Sequence, residues 1–321
     1  MLNNLGLLPS VSLNWMAALQ LWPLLLVLIG VNIVVQQAPR PLGGFLSALV
    51  GVTAVAIFGY VLLFSQDNPR LAGLGLQTNP AEIQTRQISF TADDIQSADV
   101  ELDLGMAGAA VSALEDSANL IEGQVSYVGD LTFDASQSGS RANIYLSEKN
   151  SGLWWLNPSS WASGGLEKWQ IGLNPGVVLD LRLDVGAGSA TLDLRELSLR
   201  QVDVDGGAGS MELFLPDGDY DGVVDVGAGA TRMTLAENGR QQITIDGGAG
   251  SLTIFLPANR EAQITVNDGA GSFTINSSRF NQLDGRPDGN GVWQTADYGR
   301  AANALDLSID VGAGSVTVRE Q

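Results

Sequence analysis

Six aspartates recur at one point of a repeating pattern: Asp184, Asp205, Asp225, Asp246, Asp268 and Asp310. Each stands just before a glycine-rich turn. Carboxylates in that position have two uses. They can accept N–H bonds from their own turn, or they can build a ladder of Ca²⁺ sites between successive turns. Stacked chains would bring them to roughly 4.8 Å, where like charges repel unless compensated. Ca²⁺-binding β-rolls repeat every nine residues or so, and the period here is more than twice that, so turn capping is the expected role and no metal is assigned.

Other chemistry is narrowed by what the chain lacks. It contains no His and no Cys. A Ser-His-Asp triad, a histidine or thiolate zinc site, a histidine phosphorelay, a cysteine nucleophile and disulfides are all excluded. Paired carboxylates could still cleave a glycan without His, as in polysaccharide-active β-helices. The acids here occupy repeated turn positions, and no unique cluster stands out. The expectation is therefore a protein without catalytic residues or cofactor. Trp154, Trp155 and Trp161 crowd into residues 150–170 together with Trp169. The first three form either an exposed binding loop or a cover for an open end of the fold. Trp169 opens the strand-like Trp169-Gln170-Ile171 and is expected in the core.

The elements that must position these residues follow from the glycines. Gly-Ala-Gly occurs at Gly186–Gly188, Gly207–Gly209, Gly227–Gly229, Gly248–Gly250, Gly269–Gly271 and Gly312–Gly314. The spacing is 21, 20, 21, 21 and 43 residues. Between the turns, apolar and polar residues alternate, as in Thr191-Leu192-Asp193-Leu194 and Gln201-Val202-Asp203-Val204, the mark of strands with one buried face. A fixed period of this size means stacked two-strand units, none able to bury its apolar face alone. The expected fold is all-β: a β-solenoid or rolled β-sandwich over 171–321, its turns aligned along one edge and its glycines taking positive φ. The long last interval predicts one coil without the signature, near Asp284–Arg300. A related unit over 88–149 is expected to begin the same stack.

Two apolar runs precede this domain, over 15–35 and 42–64, each long enough to cross a hydrocarbon core. The short Pro-rich link Gln36–Pro41 makes them an antiparallel transmembrane hairpin within residues 1–65, and 66–87 reads as a linker. Small residues four apart, such as Gly44 and Ala48, permit close helix packing and homo-oligomerisation. Arg40 is the one charged side chain in residues 1–66, so nearly all of the formal charge of −19 belongs to the β-domain. Such a surface repels nucleic acid. It either keeps the β-domain soluble or meets a cationic partner.

Asn3-Asn4-Leu5-Gly6-Leu7 with Leu21-Trp22-Pro23-Leu24-Leu25-Leu26 resembles the transmembrane region of LiaI/LiaF-like proteins. Val100–Tyr127 resembles the amino-terminal part of the toast-rack domain of LiaF-like and cell-wall-active antibiotic response proteins. Trp169–Ile171, Val178–Asp184 and the Gly-Ala-Gly turns are similar to its later part. The resemblance implies a membrane protein of the envelope-stress response, in some members an inhibitor of a partner sensor kinase, with no catalytic residues to carry over. In that family a further apolar helix often precedes the Asn-Asn-Leu-Gly motif, whereas here the chain begins at it. Three functions follow. The first is a membrane-anchored regulator or sensor acting through protein contacts. The second is a structural or adhesive surface protein that binds cell-wall polymer. The least favoured is a polysaccharide-active enzyme.

Overall fold

The computed structural model describes residues 51–57, 59–60, 83–105, 108–127, 129–149, 168–186, 188–268, 271–286 and 290–321. The first apolar run lies outside the described residues. In the second, 51–57 and 59–60 are helical, and no helix among the described residues is long and apolar enough to cross a membrane.

Ile83–Lys149 and Gly165–Gln321 form one compact unit of two β-sheets. The chain enters on β1 (Gln84–Thr91), inside the stretch expected to be a linker. Gln84-Thr85-Arg86-Gln87 looks polar throughout because these residues are exposed on both faces of an edge strand. A coil follows, with one strand in each sheet: β2 (Ser97–Asp103) and β3 (Gly108–Ala113). Next come β4 (Asn119–Tyr127) and β5 (Asp130–Ser138), then a second coil, β6 (Arg141–Lys149) and β7 (Lys168–Leu173). Four regular coils continue: β8 (Val178–Val185) with β9 (Ser189–Asp193), β10 (Ser198–Gly206) with β11 (Ser210–Phe214), β12 (Tyr220–Val226) with β13 (Ala230–Thr234), and β14 (Gln241–Gly247) with β15 (Ser251–Leu256). After them come β16 (Glu261–Asp268) and β17 (Ser272–Asn276), the pair β18 (Phe280–Gly285) and β19 (Gly291–Thr295), and a further coil, β20 (Ala304–Val311) with β21 (Ser315–Glu320).

The ten-stranded sheet has the order β1-β4-β7-β3-β9-β11-β13-β15-β21-β17, and the eleven-stranded sheet β18-β19-β16-β20-β14-β12-β10-β8-β2-β6-β5. Stacked coils pair in parallel, and antiparallel pairs sit toward the ends: β1 on β4, β5 on β6, and β18 and β19 at the other end of the eleven-stranded sheet, while β17 ends the ten-stranded sheet in parallel with β21. In-register stacking makes rows of like residues in the core. Leu102, Leu183, Val204, Val224, Ile245, Ile309 and Val266 form one such row, and all are buried. Each such side chain contributes about 1.5–3 kcal/mol by leaving water. Trp169 is fully buried, and its indole N–H donates to the Ser126 carbonyl at 3.1 Å.

At both ends, space and sequence part company. Coil β6/β7 lies outside β2/β3, although it comes later in the chain. Coil β20/β21 inserts between β14/β15 and β16/β17. The segment expected to hold an unsigned coil, 284–300, instead supplies β19, which with β18 folds as an antiparallel pair against β16. Because β19 pairs antiparallel with both β16 and β18, the segment closes the end of the eleven-stranded sheet instead of giving one strand to each sheet. Trp293 from this pair is buried and stacks on Phe273, ring centroids 4.9 Å apart, closing the core at that end.

The glycine corner works differently from expectation. Among the described residues the positive-φ glycines are Gly105, Gly129, Gly139, Gly218, Gly239 and Gly285, none of them in a Gly-Ala-Gly turn. The turn glycines are needed because the backbone of the preceding coil passes where a side chain would begin. A Cβ at Gly229 would overlap the Gly209 carbonyl oxygen, one at Gly207 that of Gly186, and one at Gly314 that of Gly250. Turn amides bond along the same direction: Gly207 N–H to Val185 O, Gly248 N–H to Val226 O, and Gly312 N–H to Gly247 O, each 2.6 Å.

The opposite corner is tied by side chains. Asp217 accepts the backbone N–H groups of Glu237 and Asn238, both at 2.9 Å, and the Asn238 side chain at 2.8 Å. Arg260, only 2 % exposed, donates to the carbonyls of Ala236 (2.8 Å) and Gly239 (2.9 Å) and to the Gln241 side chain. Arg279 repeats the device one coil on, donating to the carbonyls of Ala258 and Arg260.

Candidate partner-binding face

Alternation sends every second residue of the eleven-stranded sheet outward, and register sets these residues in rows. The row next to the glycine corner reads Asp103, Asp184, Asp205, Asp225, Asp246, Asp310 and then Asn267. Asp268 is not in it: its backbone partner is Val311. The sequence carried the signal, since Asp246 and Asp268 are 22 residues apart while their turns are 21 apart. Asp103, not singled out from sequence, begins the row.

Asp103 accepts the Ser147 hydroxyl at 2.8 Å and the Gly105 N–H at 3.3 Å, the capping expected throughout. Among the described residues no turn N–H donates to the side chains of Asp184, Asp205, Asp225, Asp246 or Asp310, because those amides already bond to the preceding coil. Burial, then the charges of Asp103 and Asp205, push the Asp184 carboxyl above its ordinary range. Burial, then Asp205 and Asp246, do the same to Asp225. Among the described residues no three carboxylates converge to hold a metal ion. In this row each coil contributes one acid, which makes a line rather than a cage.

Compensating charge gathers at one end. Arg141 forks onto Asp99 (2.6 and 2.5 Å) and reaches Asp180 (3.1 Å). Arg200 pairs with Asp180, and Arg182 with Asp203 at 2.9 Å. The Arg141 bond, against burial, holds Asp99 below the usual carboxylate range. Asp99, Asp180, Arg182 and Asp203 of this network line a groove of about 570 Å³ whose far wall is β5. Its central row is Asp134, Tyr145, Glu101, Arg182 and Asp203. From Asp205 on β10 onward, the outward acids Asp205, Asp221, Asp225, Asp246, Asp306 and Asp310 have no arginine among them. The face therefore runs from neutralised to bare acid.

The arginines of this network were missed from sequence, yet the period marks them. Arg200 lies 20 residues after its partner Asp180, and Arg182 lies 21 before Asp203. Gly186, Gly188, Gly207, Gly209, Gly227, Gly229, Gly248, Gly250, Gly271, Gly312 and Gly314 lie between the paired strands of their coils. Gly269 and the candidate loop residues Trp154, Trp155 and Trp161 lie outside the described residues.

Residues 79–223 match the family described as the N-terminal domain of toast_rack, DUF2154, so that part of the β-domain is of the toast-rack kind. No curated relative matches the chain. Among solved structures, a candidate cell adhesion protein from Clostridium sporogenes is similar at 18% identity and a TM-score of 0.50. That likeness spans 75% of this chain and 100% of the other. A candidate adhesin from Bacteroides fragilis is similar at 9% identity and a TM-score of 0.32, over 75% and 99%.

Proposed function

We propose that this toast-rack protein is a non-enzymatic component of the cell envelope, held to the bilayer by its two apolar runs. In this reading it regulates an envelope-stress response by binding a cationic surface of a membrane partner such as a sensor kinase. The observation that carries the reading is the acidic row from Asp205 to Asp310. Its carboxylates stand in register on neighbouring parallel strands, none is ion-paired with an arginine among the described residues, and Asp225 is pushed toward protonation by burial and then by Asp205 and Asp246. Leaving such a row uncompensated costs stability, and a partner that brings positive charge would relieve that cost. The acids of this row are strung along the stack, one per coil, rather than gathered around a point, which suits recognition and not bond cleavage.

The test is photo-crosslinking in living cells from a probe placed at Thr244, with and without a cell-wall antibiotic. A crosslink to a membrane protein that is lost on Asp225→Lys with Asp246→Lys, together with altered induction of the stress response, is expected. Crosslinks only to wall polymer, insensitive to those charge reversals, would replace this reading with the adhesive one.

A further inference from the structure

The placement of β20/β21 has a physical alternative within the same molecule. β14 and β16 both pair with β20 in parallel and at equivalent positions: Ile245 and Val266 face Ile309, and Thr244 and Thr265 face Ser308. In the other sheet, Leu252 and Phe273 face Val316, and Ser251 and Ser272 face Ser315. The three coils carry matching residue classes at matching heights. Coil β16/β17 could therefore sit directly on β14/β15 with its apolar side chains still turned inward. The inserted coil is bound chiefly by what a coil of the same pattern would supply, buried Leu305, Leu307, Ile309, Val316 and Val318 and the paired edges on either side, with the Arg279–Glu320 ion pair at 3.1 Å added at the corner.

The segment leading into it, 296–303, is exposed or half-exposed apart from the short 3₁₀ turn Tyr298–Arg300, which buries nothing fully. Its eight residues can extend to roughly 26 Å. Tyr298 donates to Asp306, and Asn303 accepts the Gly239 N–H at 3.3 Å. Both contacts would be remade in an exchanged pair.

We propose that β20/β21 is an exchangeable insert whose second acceptor is another copy of this chain. It leaves the slot between β14/β15 and β16/β17, those coils close on each other while it is out, and two copies trade inserts reciprocally. Transient closure spares the slot from exposing two open parallel edges. Because exchange restores every native contact, the balance between closed monomer and exchanged dimer is set by the hinge and by local concentration.

The chain has no native cysteine, so pairs can be placed cleanly. Thr244 and Ser308 are opposed on neighbouring strands, about 5 Å apart at Cα, within disulfide reach. Full-length Thr244→Cys and Ser308→Cys proteins are purified separately, mixed and oxidised. As a control, Val223→Cys is mixed with Thr244→Cys, a pair opposed between two coils that stay sequential. The expected result is a disulfide-linked heterodimer that grows with concentration and incubation time in the first mixture and exceeds the control at least several-fold. The Thr244→Cys/Ser308→Cys double variant, oxidised when dilute, should close internally and stop exchanging. A first mixture no more cross-linked than the control, while the double variant closes completely, would overturn the proposal.

Discussion

Asp246 stands directly opposite Asp310, although Asp268 is the acid that follows it along the repeat. The pairing means that the acidic row crosses a point where the chain order is broken, and its charges belong to coils distant in sequence. Two predictions concern charge, two concern the corners and one the end of the stack.

Asp184 and Asp225 have folded-state pKa values raised above the ordinary carboxylate value. An acid raised on folding binds its proton more tightly in the native state, so stability falls as pH climbs from the ordinary value through the raised one. Asp225→Asn should therefore stabilise the fold at neutral pH by up to about 1 kcal/mol. The gain should shrink in high salt and vanish below the ordinary carboxylate pKa. Urea melts at pH 7 and pH 3 measure it, and a loss of stability at pH 7 would contradict the repulsion argument.

Asp217 has the opposite sign. Burial alone would raise its pKa, but the Asn238 side chain, the N–H groups of Asn238 and Glu237, and the charge of Arg260 together bring it below the ordinary range. Its contribution is present above the unfolded value and disappears as pH falls through the folded one. Asp217→Ala should cost about 1–2 kcal/mol at neutral pH and little in strong acid. The same urea melts decide it.

Gly229→Ala should lower stability by about 1–3 kcal/mol or more, because the methyl meets the Gly209 carbonyl and backbone cannot step aside as a side chain can. Gly299→Ala, with open space around it, should stay within about 0.5 kcal/mol. Equal effects at the two positions would mean that close approach is not what selects glycine at the corner.

Arg260→Met keeps much of the apolar stem but strips three acceptors, the carbonyls of Ala236 and Gly239 and the Gln241 amide, of their donor. Expected destabilisation is about 1–3 kcal/mol. Arg260→Lys should recover only part of it, since one ammonium cannot reproduce the planar fork. Chemical unfolding of the three proteins side by side is the measurement.

Trp293→Ala should cost about 3–5 kcal/mol. Hydrogen exchange should place the damage at β16, β17 and β19 and leave β8–β13 protected. Uniform loss of protection would show the stack to be one cooperative block.

Much of this architecture was readable in the residues, because a 21-residue period and strict alternation leave few ways to bury Leu213, Met233 or Ile254. Trp169 was readable as core for the same reason. What escaped was whatever depends on which coil lies next to which. Alternation fixes the face a residue points to and is blind to the order of stacking, so the insertion of β20/β21 and the fate of 284–300 were invisible. The glycines at 207, 229 and 314 were rightly noticed for the wrong cause. Sequence shows that a side chain is missing, but only the neighbouring coil shows that an oxygen stands in its place. The carboxylate row was legible except at Asp268, where attention to the turn rather than to the strand moved the register by one residue.

The interleaved end also constrains how the molecule is made. Residues 261–276 are joined to the chain before residues 304–320, and the edge that β14 and β15 offer can receive either of them. A nascent chain thus meets a serviceable neighbour before its native one, and completion requires parting strands that have already met. Reaching the native order therefore calls for a wedging step, β20/β21 between two coils made before it, that the long regular run preceding them does not need.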